Sequence, residues 1–233
     1  MKRLFIILLT GYLLSGCDPN KIQMEEPIIR VSSEQLSSRP FLANDVTKII
    51  MEVELQESLA RSEELTITST HGSLFYLNTS DFSSENQELV LDPIEKITKF
   101  ILRTGTVSGE AYLSATVDKI VGFDTINFVN AYSETISMAT PKNNLSLSSG
   151  ETIELTIKLG RLEGLVSSGQ LISLSASDPF LVDIPTNILS DDQGEATITV
   201  RPLSSGDVII EGSVTSNSSG SSISATTMLS INN

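Results

Sequence analysis

Between residues 46 and 231 the chain is written largely in steps of two. Ile49, Met51, Val53 and Leu55 alternate with Ile50, Glu52 and Glu54. Ile153, Leu155, Ile157 and Leu159 alternate with Thr152, Glu154, Thr156 and Lys158. Ala196, Ile198 and Val200 alternate with Thr197 and Thr199, and Ile223, Ala225, Thr227, Leu229 and Ile231 alternate around small polar residues. Successive side chains of an extended backbone point to opposite faces, so this period sets one face on a core and the other in water. A helix would need apolar residues every three or four positions. Gly, Ser, Asn and Asp punctuate the runs, as turns between short strands require. The pattern predicts an all-β chain of antiparallel sandwiches. The one helix-like stretch, Glu57 to Glu64, is short and reads as a connection.

The pattern also repeats. VTKIIMEVEL (46–55) lines up with GETIELTIKL (150–159), 104 residues on, and SGEAYLSATV (108–117) with SGDVIIEGSV (205–214), 97 residues on. Arg103 precedes the first Ser-Gly pair and Arg201 the second. Each block then ends on an alternating strand, DTINFVNA (124–131) or SISATTMLSI (222–231). A shared order at a near-constant spacing predicts duplication of one domain. The expected boundary lies near Ser133, which gives one sandwich over 28–133 and a second over 134–233.

The second block resembles the invasin/intimin type of bacterial immunoglobulin-like repeat. The resemblance rests on SDDQGEATITV (190–200) followed by SSGDVIIEGSV (204–214). Asp191, Asp192 and Gly194 match the family's acidic turn, Gly206 opens the next strand, and Gly212 supplies a small residue within it. Asp and Gly suit a tight hairpin there. The first block keeps Gly109, Ala111 and Ala115 but has LDPIEKITKF (91–100) in place of the acidic turn. The resemblance implies tandem immunoglobulin-like β-sandwiches, non-catalytic, serving as spacers or adhesive modules outside the cell. Partner-binding residues in that family usually lie in a terminal module of another kind, so the resemblance transfers no binding site.

The N-terminus carries a different signal. Lys2 and Arg3 precede an apolar stretch from Leu4 to Leu14, and Leu14-Ser15-Gly16-Cys17 closes it. A cationic start and a core too short to span a bilayer define a secretory signal. The closing tetrapeptide resembles the lipobox of bacterial lipoproteins. That resemblance implies cleavage between Gly16 and Cys17, a diacylglyceryl thioether on Cys17, and acylation (palmitate, for example) of its freed amine. Two or three acyl chains, at ~0.8 kcal/mol per buried methylene, hold a protein on a membrane where one chain does not. Residues 1–16 are then the signal peptide and 17–27 the lipidated cysteine with a polar tether, DPNKIQMEEP, bracketed by Pro19 and Pro27. The expected location is exported and lipid-anchored to a bacterial membrane, the outer membrane or cell surface. Asp18 resembles the inner-membrane retention signal of enterobacteria-like systems, a rule that differs between lineages.

Removing residues 1–16 takes away two of 15 basic residues and none of the 29 acids, for a net charge of −16. Such a chain repels nucleic acid and bare anionic membrane. Cys17 is the only cysteine, so the sandwiches are held by packing without a disulfide.

Candidate chemistry is sparse. His71, the only histidine, sits in TSTHGSLF and reads as a turn rather than a general base. No phosphate loop, dinucleotide fingerprint or nucleophile elbow occurs. Asp191 and Asp192 with Ser190, or Asp178 and Asp183, offer oxygens for calcium but lack three carboxylates at alternating spacing. Phe75, Tyr76 and Phe180 are candidates for stacking on sugar rings. With no tryptophan in the chain they read better as core. Asp124-Thr125-Ile126 resembles the triplet that some bacteria O-glycosylate outside the cytoplasm, and TSNSSGSSISATT (215–227) reads as a hairpin loop and edge strand. The expectation is a non-catalytic envelope module without cofactor or metal, whose partner is a protein or glycan at the cell surface and not a small-molecule substrate. The alternative is an accessory subunit of a periplasmic or outer-membrane complex handling glycans or secretion.

Overall fold

The computed structural model describes residues 29–34, 40–56, 64–91 and 96–233. Gly16, Cys17, the tether, all of the helix-like stretch but Glu64, and residues 92–95 of LDPIEKITKF lie outside the described residues. Among those described there are strands and turns and no helix, and so none long and apolar enough to cross a membrane.

The first nine strands are β1 (Ile29–Ser33), β2 (Phe41–Ala43), β3 (Lys48–Leu55), β4 (Leu65–Ser69), β5 (Ser73–Tyr76), β6 (Glu88–Leu91), β7 (Ile97–Arg103), β8 (Gly109–Val117) and β9 (Ile120–Asn130). They form a four-stranded sheet β1-β3-β7-β5 facing a five-stranded sheet β2-β9-β8-β4-β6. The next nine are β10 (Thr135–Ala139), β11 (Asn144–Ser146), β12 (Ile153–Gly160), β13 (Leu171–Ala176), β14 (Val182–Asp183), β15 (Asn187–Leu189), β16 (Glu195–Pro202), β17 (Gly206–Thr215) and β18 (Ser222–Asn232). Their sheets are β10-β12-β16-β14 and β11-β18-β17-β13-β15. Adding nine to each label of the first pair of sheets reproduces the second. The chain is therefore two immunoglobulin-like β-sandwiches of one topology, and the aligned repeats fall on β3 with β12, β8 with β17, and β9 with β18.

The alternation explains the cores. Ile49, Met51, Val53 and Leu55 of β3 are wholly buried and pack with Leu65, Ile67, Phe100, Leu102 and Phe128. Leu155, Ile157, Ile198, Val200, Val208 and Ile210 form the matching core of the second sandwich. Each buries one face per strand, the arrangement that packed sandwiches share.

Two details differ from the sequence reading. Each sandwich contains one parallel pair, β2 with β9 and β11 with β18. The opening segment splits, pairing first with one sheet (β1 with β3, β10 with β12) and then with the other. The acidic turn at 190–194 is also not a hairpin. β15 pairs with β13 in the five-stranded sheet, whereas β16 pairs with β12 and β14 in the four-stranded one. The turn therefore carries the chain from one sheet to the other, and its Asp191 closes it by accepting the amides of Gln193 and Glu195 at 2.9 and 2.8 Å. Gly194 adopts φ 75° there, and a Cβ would lie 3.1 Å from the Leu159 carbonyl oxygen.

Candidate functional site

A hydrogen-bonded polar arrangement lies where the sandwiches meet. The loop between β12 and β13, residues 161–170, docks end-on against the first sandwich. Ser167 is wholly buried. Its Oγ donates to the Ala43 carbonyl at 2.9 Å and accepts the Ala131 amide at 2.9 Å, and its own amide donates to the Ala131 carbonyl at 3.0 Å. Leu165 N–H donates to the Asn44 carbonyl at 2.8 Å and Ser168 N–H to the Thr106 carbonyl at 2.9 Å. Gly164 makes the approach possible, because at φ 71° its missing Cβ would sit 2.3 Å from the Asn44 oxygen. The seat is itself rigid. Asn44 Oδ1 accepts from the Thr47 amide at 3.0 Å and the Thr47 hydroxyl at 2.8 Å, folding the β2–β3 turn onto one side chain.

Ser133, the expected boundary residue, is buried in the link from β9 to β10. Arg161 secures the same link: its guanidinium donates to the Tyr132 carbonyl and pairs with Glu134 at 3.5 Å. Glu134 in turn accepts the Leu162 amide at 2.7 Å.

The junction is flanked by two depressions. One is acidic, with Asp45, Glu85 and Asp192 around Gly72 and Thr106. Burial lifts the Asp45 carboxyl above its usual range, Glu85 adds to the lift, and the Arg103 guanidinium opposes it. The other is a groove of about 750 Å³. Leu42, Val129, Asn127, Asn130, Tyr132 and Asn217 are among the residues that line it. Its lining charges, Arg161 and Glu134, are those already paired with each other.

The residues singled out in the sequence are scattered over the molecule. His71 is in the β4–β5 turn, its Nδ1 3.0 Å from the Thr70 hydroxyl. Asp178 Oδ1 caps the Phe180 amide at 2.9 Å, and Asp183 lies in β14 opposite Arg201. Among the described residues no group of three His, Cys, Asp or Glu could hold a metal ion. Phe75 is buried, its ring centroid 4.9 Å from that of Phe82 and the two rings tilted by 59°. Tyr76 and Phe180 are not core, at 49% and 82% exposed: Tyr76 is the last residue of β5, its hydroxyl donating to the Val90 carbonyl, and Phe180 lies in the turn between β13 and β14. Asp124, Thr125 and Ile126 lie in β9, where Asp124 Oδ1 accepts the Thr125 amide. The 216–221 loop is ordered by Asn217, whose Oδ1 accepts the amides of Ser219 and Ser221.

Sequence reasoning missed the whole junction and two aromatic residues, Tyr112 and Phe123, which stand 55% and 75% exposed. A signal for them existed. Ala111, Leu113 and Ala115 point inward along β8, so Tyr112 must point out.

The architecture defines a tandem immunoglobulin-like protein. No protein-family model matches the chain, and no curated protein matches it in sequence. Among solved structures it is similar to the adhesin InvE of Yersinia pseudotuberculosis, with 18% identity, a TM-score of 0.53, and coverage of 88% of this chain and 59% of that one. It is similar also to invasin, described as a bacterial integrin-binding protein, with 15% identity, a TM-score of 0.53, and coverage of 87% and 39%. At these identities the likeness is one of fold, and the chain spans about three fifths of InvE. A glycosyl hydrolase family 2 member from Bacteroides cellulosilyticus matches at a TM-score of 0.37, too distant to carry an argument.

Proposed function

We propose that this chain is a non-catalytic interaction module of the bacterial envelope, adhesive or spacing, anchored through acyl chains on Cys17 and projecting two docked sandwiches. Units 28–133 and 134–233 form the body, cut from one another at Ser133, and 17–27 is the tether. The observation that carries the reading is the junction. A buried, fully bonded serine and three backbone hydrogen bonds hold two sandwiches end to end, which suits presentation of a surface at a distance from an anchor. The adhesin-like fold of InvE and invasin supports the same reading.

Protease shaving of intact cells tests it, with Cys17→Ala as the comparison. The expected result is loss of the second sandwich from parent cells and release of the Cys17→Ala protein into the soluble or unprocessed fraction. Full protection of the parent protein, or unchanged membrane partitioning of the variant, overturns the reading.

A further inference from the structure

The outer face of the five-stranded sheet in the first sandwich runs into the groove at the junction. Val121, Phe123, Thr125 and Asn127 point outward along β9, opposite Thr116, Ser114, Tyr112 and Glu110 of β8. Thr66 and Thr68 of β4 extend the same rows, with the hydroxyls of Thr68 and Ser114 2.7 Å apart. Tyr112 and Phe123 are diagonal neighbours across the strand pair, close enough for both rings to serve one ligand. Farther along β9, Asn127 of the same row also lines the groove, with Asn130, Tyr132 and Asn217. From Phe123 to Val129 the track is ~20 Å long, at about 3.3 Å per residue.

Its chemistry is selective. No lysine or arginine stands among these outward residues of β4, β8 and β9, and the Arg161 that lines the groove is paired with Glu134. What is offered is flat aromatic surface, hydroxyls and side-chain amides, with one carboxylate, Glu110, which stands opposite Asn127 and accepts the Tyr112 hydroxyl at 2.6 Å. An anionic polymer finds no cation there, and a cationic one finds little charge to meet. A neutral polyhydroxylated chain finds rings to stack on and amides that both donate and accept. The second sandwich shows that the fold does not require the aromatics. Equivalent positions in β17 and β18 hold Ile209 for Tyr112 and Thr226 for Phe123.

We propose that this track binds a linear, uncharged glycan. The inference rests on reading the chain as an interaction module and names the partner class. The test is affinity electrophoresis of the full chain, purified in detergent, through gels holding neutral polysaccharides (a β-glucan, a mannan, a galactomannan, dextran) or anionic ones (alginate, pectate). Retardation by at least one neutral polymer is expected, weakened tenfold or more by Phe123→Ala and by Asn127→Ala. Phe180→Ala, in the β13–β14 turn of the second sandwich, should leave it unchanged. All three residues are exposed, so melting temperatures should match the parent and separate lost binding from lost fold. Retardation by no neutral polymer, preference for the anionic ones, or binding that survives both track substitutions overturns the proposal. A chain shaved from cells yet indifferent to every polysaccharide sinks this inference alone. One that binds glycan but is protected in cells sinks the display reading alone.

Discussion

Asp45 adopts φ 62°, a conformation that Asp and Asn tolerate better than most residues. Its carboxyl is raised above 3.8 by burial, then by Glu85, against the pull of Arg103. The folded state therefore holds that proton more tightly than the unfolded state does. Stability from this group is present at low pH and is lost as pH rises through the window just above 3.8. Asn at this position keeps the turn and removes the titration. Urea unfolding of parent and Asp45→Asn between about pH 3.5 and about pH 6 should show the variant gaining on the parent as pH rises. A difference that stays flat, or reverses, contradicts the assignment. Residue-scale errors in the sequence reading have one origin. LFYL looks like a core strand, yet its Leu74 and Phe75 are buried on opposite faces while Tyr76, at the end of β5, is half exposed, because the neighbours that cover a strand and not its alternation alone decide burial.

Strands were legible wherever alternation ran for several residues, as in β3, β12, β16 and β17. Three-residue strands such as β2 and β11 were not, since so short a run carries no period. Nor does local sequence say which sheet a strand joins. The acidic turn announces a sharp reversal, and only the partners of β15 and β16 show that it crosses between sheets. The inward face of β16 is testable. Ile198 is 4% exposed and opposite Leu155. Ile198→Asp buries an unpaired carboxylate and should cost about 3–5 kcal/mol, enough to unfold the second sandwich at temperatures where the parent is still folded. A variant that melts like its parent places Ile198 outside the core.

At the scale of the molecule, the duplication was readable in the chain but its consequence was not. RLEGLVSSGQ (161–170) carries no alternation, and the carbonyls it meets, of Ala43, Asn44, Thr106 and Ala131, are remote in sequence. No periodicity reports such backbone-directed bonds. Ser167→Ala leaves the Ala43 carbonyl and Ala131 amide without their buried partner, a loss of about 2–4 kcal/mol. Calorimetry should then resolve two transitions where the parent's sandwiches melt together, and small-angle scattering should show a larger radius of gyration. An unchanged profile by both measurements means the junction does not couple the halves.

The parallel pairs give the sandwiches a directional strength. β11 lies beside β18 with Asn144 opposite Ser230 and Ser146 opposite Asn232, so tension entering at β10 and leaving after β18 slides the two past each other. Their cross-links are loaded together in shear instead of opening one after another from an end. β2 and β9 repeat the geometry, with Phe41 opposite Phe128. Sandwiches built this way resist a pull along the chain's own length better than they resist prying from the side.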